Sequence, residues 1–408
     1  MAIVPQGGNS GMVGGATPDT TGDAVLLSLR RMNTMQEIDV QNRRVTCGAG
    51  VILQTLHEAV AAKGLRFPLT LGGKGSATVG GLISTNAGGT QVLRHGSMRS
   101  LVLGLEAVLA DGQVFSMLTP LKKDNRGFDL KQLVIGSEGT LGIVTAAAVR
   151  LVPAVADRVV IWAGVPNLQD ARALLLHCED AVGEALEGFE VLPQDCLQAV
   201  LDHMPASRAP LAGGHAWHAL IEVVADAGSV ERVRAACETM LATSFDQELL
   251  EDAVIASNES QADAFWLIRD SISAAERARG PAVQHDISVP VEAMPAFVDT
   301  AVPALESAWP GTEALAFGHL GDGNVHFHVI APPGSTAEAW HATDGKAISA
   351  HVYDLVSQWG GSISAEHGIG QLKRDELARL GDPVALDIMR RVKQALDPQG
   401  LLNPGKLI

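Results

Sequence analysis

Up to about residue 153, apolar positions come in short runs separated by glycine-rich stretches. Beyond it they lengthen into alternating helical and extended periods. In the first part, "AVLLSLRRM", "RRVTCGAGV" and "VLGLEAVLADGQVFSM" read as strands. The last folds back at Asp111-Gly112, because Asp-Gly between apolar runs favours a tight hairpin turn. Helices are expected at "LQTLHEAVAAKG" and "DLKQLVIG". Past Pro153, strands at "RVVIWAGV", "EALEGFEVL" and "AWHALIEVV" alternate with helices at "NLQDARALLLHCEDA", "PQDCLQAVLD" and "SVERVRAACETMLA". That alternation implies helices packed on a sheet. "DHMPASRAPLAGGH" reads as a mobile loop, and no internal repeat or low-complexity tract is present.

A second Asp-Gly pair lies in "AFGHLGDGNVHFHVI", residues 316–330. A two-residue turn at Asp322-Gly323 pairs Gly321 with Asn324, Leu320 with Val325 and His319 with His326. Opposed residues hold their Cβ atoms about 4.5–5.5 Å apart, close enough for two imidazoles to share one ion. His328 follows His326 by two and points to the same face.

The chain has 408 residues, 47% of them hydrophobic and 19% charged, which is long enough for two domains. A formal net charge of −16 argues against nucleic acid and anionic membrane as partners. No apolar run approaches the roughly 18 residues of a spanning helix. "MAIVPQGGNS" lacks the flank and apolar stretch of a signal peptide. Cys47, Cys178, Cys196 and Cys237 are scattered without a CxxC, as expected of a reduced, cytoplasmic protein.

Four glycine-dense segments occupy the first 150 residues: "PQGGNSGMVGG", "LGGKGSATVGG", "STNAGG" and "GSEGTLG". None reads GxGxxG between strand and helix or GxxxxGK[ST], so the Rossmann and Walker readings fail. Taken singly, each is a tight turn. Glycine also lets several backbone N–H groups aim at one anion, and four such loops in one domain point to a large phosphate-bearing cofactor.

In the order "VPQGGNSGMVGG … FPLTLGGKGSATVGGLISTNAGGTQVLRHGSMRSLVLGLEAVLADG … KDNRGFDLKQLVIGSEGTLGIVT", with "GHLGDGNVHFHV", "SAEHGIG" and "LDPQGLLNPGK" following, the chain resembles the vanillyl-alcohol-oxidase/PCMH flavoproteins. Within them it is most similar to the FAD-binding D-2-hydroxyacid dehydrogenases, a group that includes D-lactate and D-2-hydroxyglutarate dehydrogenases and the glycolate oxidase flavoprotein subunit. The resemblance implies an α+β fold: a PCMH-type FAD-binding domain over 1–153, then an α/β cap (substrate) domain with an antiparallel sheet and a metal site over 154–370. A C-terminal segment, 371–408, would return to the FAD domain. It implies noncovalent FAD, its pyrophosphate on Gly7, Gly8, Asn9, Ser10, Gly11, Gly75 and Ser76. Asn86, Ala87, Gly88, Gly89, Glu138, Gly139, Gly142, Ile143 and Asn403 would surround the rest. The family begins with roughly fifty more residues, a βαβ unit, so a misassigned start or a truncated chain is expected. A noncatalytic flavin- or metal-binding remnant is the rival to an enzyme.

Imidazole and carboxylate suit zinc and related divalent ions. His319 and His326 supply two ligands and Glu366 in "GGSISAEHGIG" offers a third, the set the resemblance also implies. Zinc is the expected metal, with iron and manganese as alternatives. Without that agreement, two half-buried hairpin histidines would be the plainer reading. His367 is the expected general base, since histidine titrates near working pH. Arg269 and Ser273, four apart on one helix in "AFWLIRDSISAAER", match the family's substrate contacts. Gln284 stands where the family has lysine, and His328 where 2-hydroxyglutarate enzymes have asparagine. A substrate with a single carboxylate is therefore expected to compete well with a dicarboxylate. The expected activity is oxidation of a D-2-hydroxy acid to the 2-oxo acid. Electrons would pass to an electron-transfer flavoprotein or quinone, and a homodimer is the expected assembly.

Overall fold

The computed structural model of the chain describes residues 1–121 and 123–408. It forms two compact units, one of Met1–Ala154 with Glu366–Ile408, the other Val155–Ala365.

In the first unit a four-stranded antiparallel sheet runs Arg44–Gly48, Ile143–Arg150, Val102–Val108, Val114–Met117. The expected hairpin turns at Asp111-Gly112. Gly112 takes φ +84° and the Asp111 carboxylate accepts the Gln113 N–H at 2.9 Å. Helix Leu53–Ala61 buries Leu53, Leu56 and Val60, a 3–4–7 stripe that packs on this sheet's core. The "DLKQLVIG" helix is a single turn, Lys131–Val134, stopped where Ile135 turns extended and Gly136 takes φ +79°. A short parallel pair, Ala2–Gln6 with Ala24–Ser28, adds the C-terminal residue Leu402 as a bridge partner of Ile3. Residues 366–370, expected in the second domain, belong to the first unit. The Ile369 and Gly370 N–H groups are held there by the Glu138 carboxylate.

The second unit is a seven-stranded antiparallel sheet in the order Asp252–Ile255, Asp157–Val165, Trp217–Ala225, Leu186–Pro193, Glu313–His319, Asn324–Ile330, Ala282–Ser288. Helices Gln194–His203, Glu259–Asp270 and Ile272–Arg279 cover one face through Trp162, Leu220, Leu315 and Phe317. Leu168–Val182 and Met294–Ala308 also pack against its strands. The central strand Leu186–Pro193 is consequently buried almost throughout, with no alternation of exposure.

The histidine hairpin departs from the expected register. His319 pairs with Asn324 and Phe317 with His326, so the connection is 320–323 and not a two-residue turn. The cause is tertiary. Leu320 is fully buried, and its N–H donates to the Phe189 carbonyl of the neighbouring strand at 3.1 Å, which takes it out of the ladder. Gly323, at φ +77°, then closes the loop by donating to the His319 carbonyl. The expected helix through Arg269 and Ser273 also divides, at Ser271, into Glu259–Asp270 and Ile272–Arg279.

Candidate functional site

The glycine loops of the first unit enclose a cavity of about 390 Å³, within the range of cofactor pockets. Gly7, Gly8, Asn9, Ser10 and Gly11 line it, with Ala87, Gly88, Glu138, Gly139, Gly142, Ile143, Glu366 and His367. Two glycine roles separate here. A Cβ on Gly8 would lie 1.7 Å from the Ser76 carbonyl oxygen, so two backbones meet there with no room between them. A Cβ on Gly11 or Gly72 would meet nothing within 4 Å, leaving bare backbone facing open space. That is the surface a pyrophosphate needs, and the loops fit FAD.

Other residues assigned to the cofactor lie behind this wall. Gly75 and Ser76 do not line the cavity; Ser76 backs Gly8. Asn86, at φ +50°, ends helix Val79–Thr85, and its side-chain oxygen accepts from Ser97 and from the Arg99 N–H. Gly89 allows close passage of the Thr70 carbonyl, 2.2 Å from where its Cβ would be. Asn403, at φ +43°, donates to the carbonyls of Gly15 and Glu138 at 2.9 and 2.7 Å. Val13, Thr78, Ser84 and Val144 line the cavity and were not singled out in the sequence, since single side chains between glycines carry no signal of their own.

Glu138 is 6% exposed and holds φ +53°, a region that costs a non-glycine residue of order 1–3 kcal/mol. Burial pushes its carboxyl pKa up, while the Ile369 and Gly370 N–H groups and nearby Lys373 pull it down. Glu366 and His367 are half-buried on the turn those two N–H groups close.

In the second unit the register gathers polar groups on one sheet face, since opposed residues share a face and so do residues two apart. His319 faces Glu190 and Asn324; His326 faces Phe317 and Asp286; His328 faces Leu315 and Gln284. The His319 and His326 rings stand edge to face with centroids 5.5 Å apart, and His328 is 6.3 Å from His326. Each buried ion found here is partnered. The Glu190 carboxylate, 2% exposed, accepts the Arg269 Nε–H at 2.8 Å and lies 3.4 Å from His319 Nε2. Arg269 also stands over the Phe317 ring at 5.8 Å. The fully buried Glu276 carboxylate bonds His328 Nδ1. Asn324 donates to Asp286 at 2.9 Å. Gln284 is exposed and Ser273 half-buried.

Glu190 and Glu276 carry no signal in the sequence. Glu190 sits in an apolar strand buried on both sides, and Glu276 in "AAERARG" reads as a solvated helix face. Among the described residues, no three histidine, cysteine or acidic ligand atoms within this unit lie within 4.8 Å of one another. The histidine pair does not by itself make a complete ligand set.

The family model for the FAD binding domain matches residues 1–117, and that for FAD linked oxidases, C-terminal domain, matches 155–407. The chain belongs to the FAD-binding D-2-hydroxyacid dehydrogenases. It is 38% identical over 408 residues to "D-2-hydroxyglutarate dehydrogenase, mitochondrial" of Arabidopsis thaliana, covering all of this chain and 71% of that protein. To the Bos taurus protein of the same name it is 37% identical, covering 100% and 72%. To D-2-hydroxyglutarate dehydrogenase of Xanthomonas citri pv. viticola it is 35% identical, covering 100% and 84%. Among solved structures, p-cresol methylhydroxylase superposes with a TM-score of 0.76 at 14% identity, covering 100% of this chain and 84% of that one, a likeness of fold. Membership makes this family chain a FAD-dependent dehydrogenase acting on a CH–OH group. It also corrects the cytoplasmic expectation. The Arabidopsis and Bos relatives are named as mitochondrial, and four free, buried cysteines identify no compartment. Among the described residues, no helix is long and apolar enough to cross a membrane.

Proposed function

We propose that the chain oxidises a D-2-hydroxy acid to the 2-oxo acid with His367 as the base. The observation that carries this reading is the position of His367 in the wall of the glycine-built cavity. Flavin, when bound, supplies the hydride acceptor. His367 takes the hydroxyl proton as the hydride leaves Cα, so the substrate loses two electrons and two hydrogens in one step. Arg269 takes the substrate carboxylate. With Nε tied to Glu190, its guanidinium is fixed in orientation before substrate arrives. At His319 and His326 a bound divalent ion would polarise the substrate hydroxyl, which lowers its pKa; zinc suits the donors, with iron and manganese as alternatives. Glu366, which the resemblance also implicates, is tested separately.

Relatives named for D-2-hydroxyglutarate support that substrate, while Gln284 and His328 support acceptance of monocarboxylates such as D-lactate. Electron-transfer flavoprotein or quinone is proposed as the acceptor, and a homodimer as the assembly. The test is His367→Ala. It should keep its flavin but fail to bleach anaerobically with either acid; bleaching at the wild-type rate contradicts the assignment. His326→Ala and Glu366→Ala should each lower metal content by elemental analysis with FAD retained, and unchanged metal removes that residue from the ligand set.

A further inference from the structure

Glu138 lies in "GSEGTLG", where a carboxylate among glycines reads as a cofactor contact. Its geometry describes another task. One carboxylate oxygen accepts the Ile369 N–H and the other the Gly370 N–H, both at 2.7 Å. Its own N–H donates to the Ser84 carbonyl, and its carbonyl accepts from Asn403. Gly368 and Gly370 take φ +81° and +53°. A Cβ on Gly368 would come within 2.9 Å of the Glu138 carboxylate. The turn is thus shaped around this one side chain, and Glu138 tolerates a left-handed backbone to reach it.

We infer that Glu138 is a positioning residue that braces the 366–370 turn and so fixes His367 in the cavity wall. The inference rests on the reading of His367 as base. A carboxylate is the group the place requires, because two N–H donors converge on it and only a carboxylate offers two acceptor oxygens at that spacing. Glutamine offers one acceptor and one donor, so Glu138→Gln sets its amide against one of the two N–H groups.

The experiment compares wild-type and Glu138→Gln holoenzyme in three readouts: FAD per chain, anaerobic bleaching and reoxidation rates, and hydrogen exchange of the peptide spanning 366–370. With FAD retained, bleaching by D-2-hydroxyglutarate or D-lactate should slow by about 10²-fold, the scale of a misplaced catalytic group. Reoxidation by an artificial dye should be unchanged, and exchange in the turn should accelerate. Loss of FAD in step with activity overturns the inference in favour of a cofactor contact. Unchanged exchange or an unchanged bleaching rate overturns it outright. If the glutamine variant does not fold, Glu138→Asp, with both acceptors one methylene short, is expected to give the same pattern more weakly. The two readings fail separately. His367→Ala that bleaches normally refutes the base, while hydrogen exchange still reports whether the turn depends on Glu138.

Discussion

The two units build their sites from different material. In the first, the cavity is shaped by backbone: glycines pass carbonyls at distances no side chain would allow, and open stretches of bare main chain face the cavity. In the second, the candidate site gathers buried charges and imidazoles on a sheet face, with Arg269 held by Glu190 and His328 by Glu276. A backbone site tolerates almost no change at its glycines but needs few polar partners. A side-chain site tolerates change in its backbone but leaves an orphaned charge when one partner goes.

Gly8→Ala is the sharpest break. Its Cβ, fixed to the backbone, would meet the main-chain carbonyl oxygen of Ser76 at 1.7 Å, so the loop must move and FAD binding should be lost. Gly11→Ala meets nothing within 4 Å and should fold normally with weakened FAD binding, because it crowds only the open side. Flavin content after desalting checks both. Equal losses would show that the distinction between packing and cradle glycines is wrong.

Glu190→Ala removes the buried carboxylate that accepts the Arg269 Nε–H at 2.8 Å, from a side chain that is 14% exposed. Breaking a buried pair in this way costs about 3–5 kcal/mol. All six tryptophans lie in Val155–Ala365, so fluorescence-detected urea unfolding reports this unit. A cost below about 1 kcal/mol would place the pair among surface-like ion pairs.

How far each site could be read from the sequence follows from the same contrast. Glycine spacing is a backbone signal and survives as a motif, so the loops at 7–11, 87–88 and 139–143 were visible as a cofactor wall. Partners of buried charges are not. Glu190 lies in a strand covered on both faces, where no alternation marks it, and Glu276 resembles any helical glutamate. The hairpin register was lost because Leu320 answers to Phe189, a residue 131 positions away in sequence and invisible to local turn chemistry. Strands such as Asp157–Val165 and Trp217–Ala225 were legible because their apolar runs are long and bounded.

Acid should weaken the second unit through His218. It is fully buried. Nδ1 accepts from Trp162 Nε1 at 3.1 Å and Nε2–H donates to Gln194 at 2.8 Å, so only the neutral ring satisfies both. Burial, then the neighbouring His215, lowers its pKa from 6.5 to about 4. The folded state therefore binds fewer protons than the unfolded chain. Its contribution is present above about pH 6.5 and is lost as pH falls toward about 4, up to about 3 kcal/mol. His218→Gln should flatten tryptophan-detected stability between pH 7 and pH 4.5; an unchanged slope assigns the acid sensitivity elsewhere.

The smallest effect concerns selectivity. Gln284 is exposed and lies across the strand pair from His328. Gln284→Lys should raise kcat/KM for D-2-hydroxyglutarate relative to D-lactate by about one charged hydrogen bond, ~1.5–3 kcal/mol. A ratio that does not move removes position 284 from the substrate's far end.

The central claim is that a glycine-built flavin cavity with His367 in its wall oxidises D-2-hydroxy acids. Its most direct test is anaerobic titration of the FAD-loaded protein with the D and L forms of 2-hydroxyglutarate and lactate, followed by flavin absorbance. The account predicts full bleaching by at least one D acid, with the 2-oxo acid formed in step with reduced flavin, and none by its L form. Flavin that stays oxidised with both D acids, or bleaches equally with either enantiomer, contradicts it.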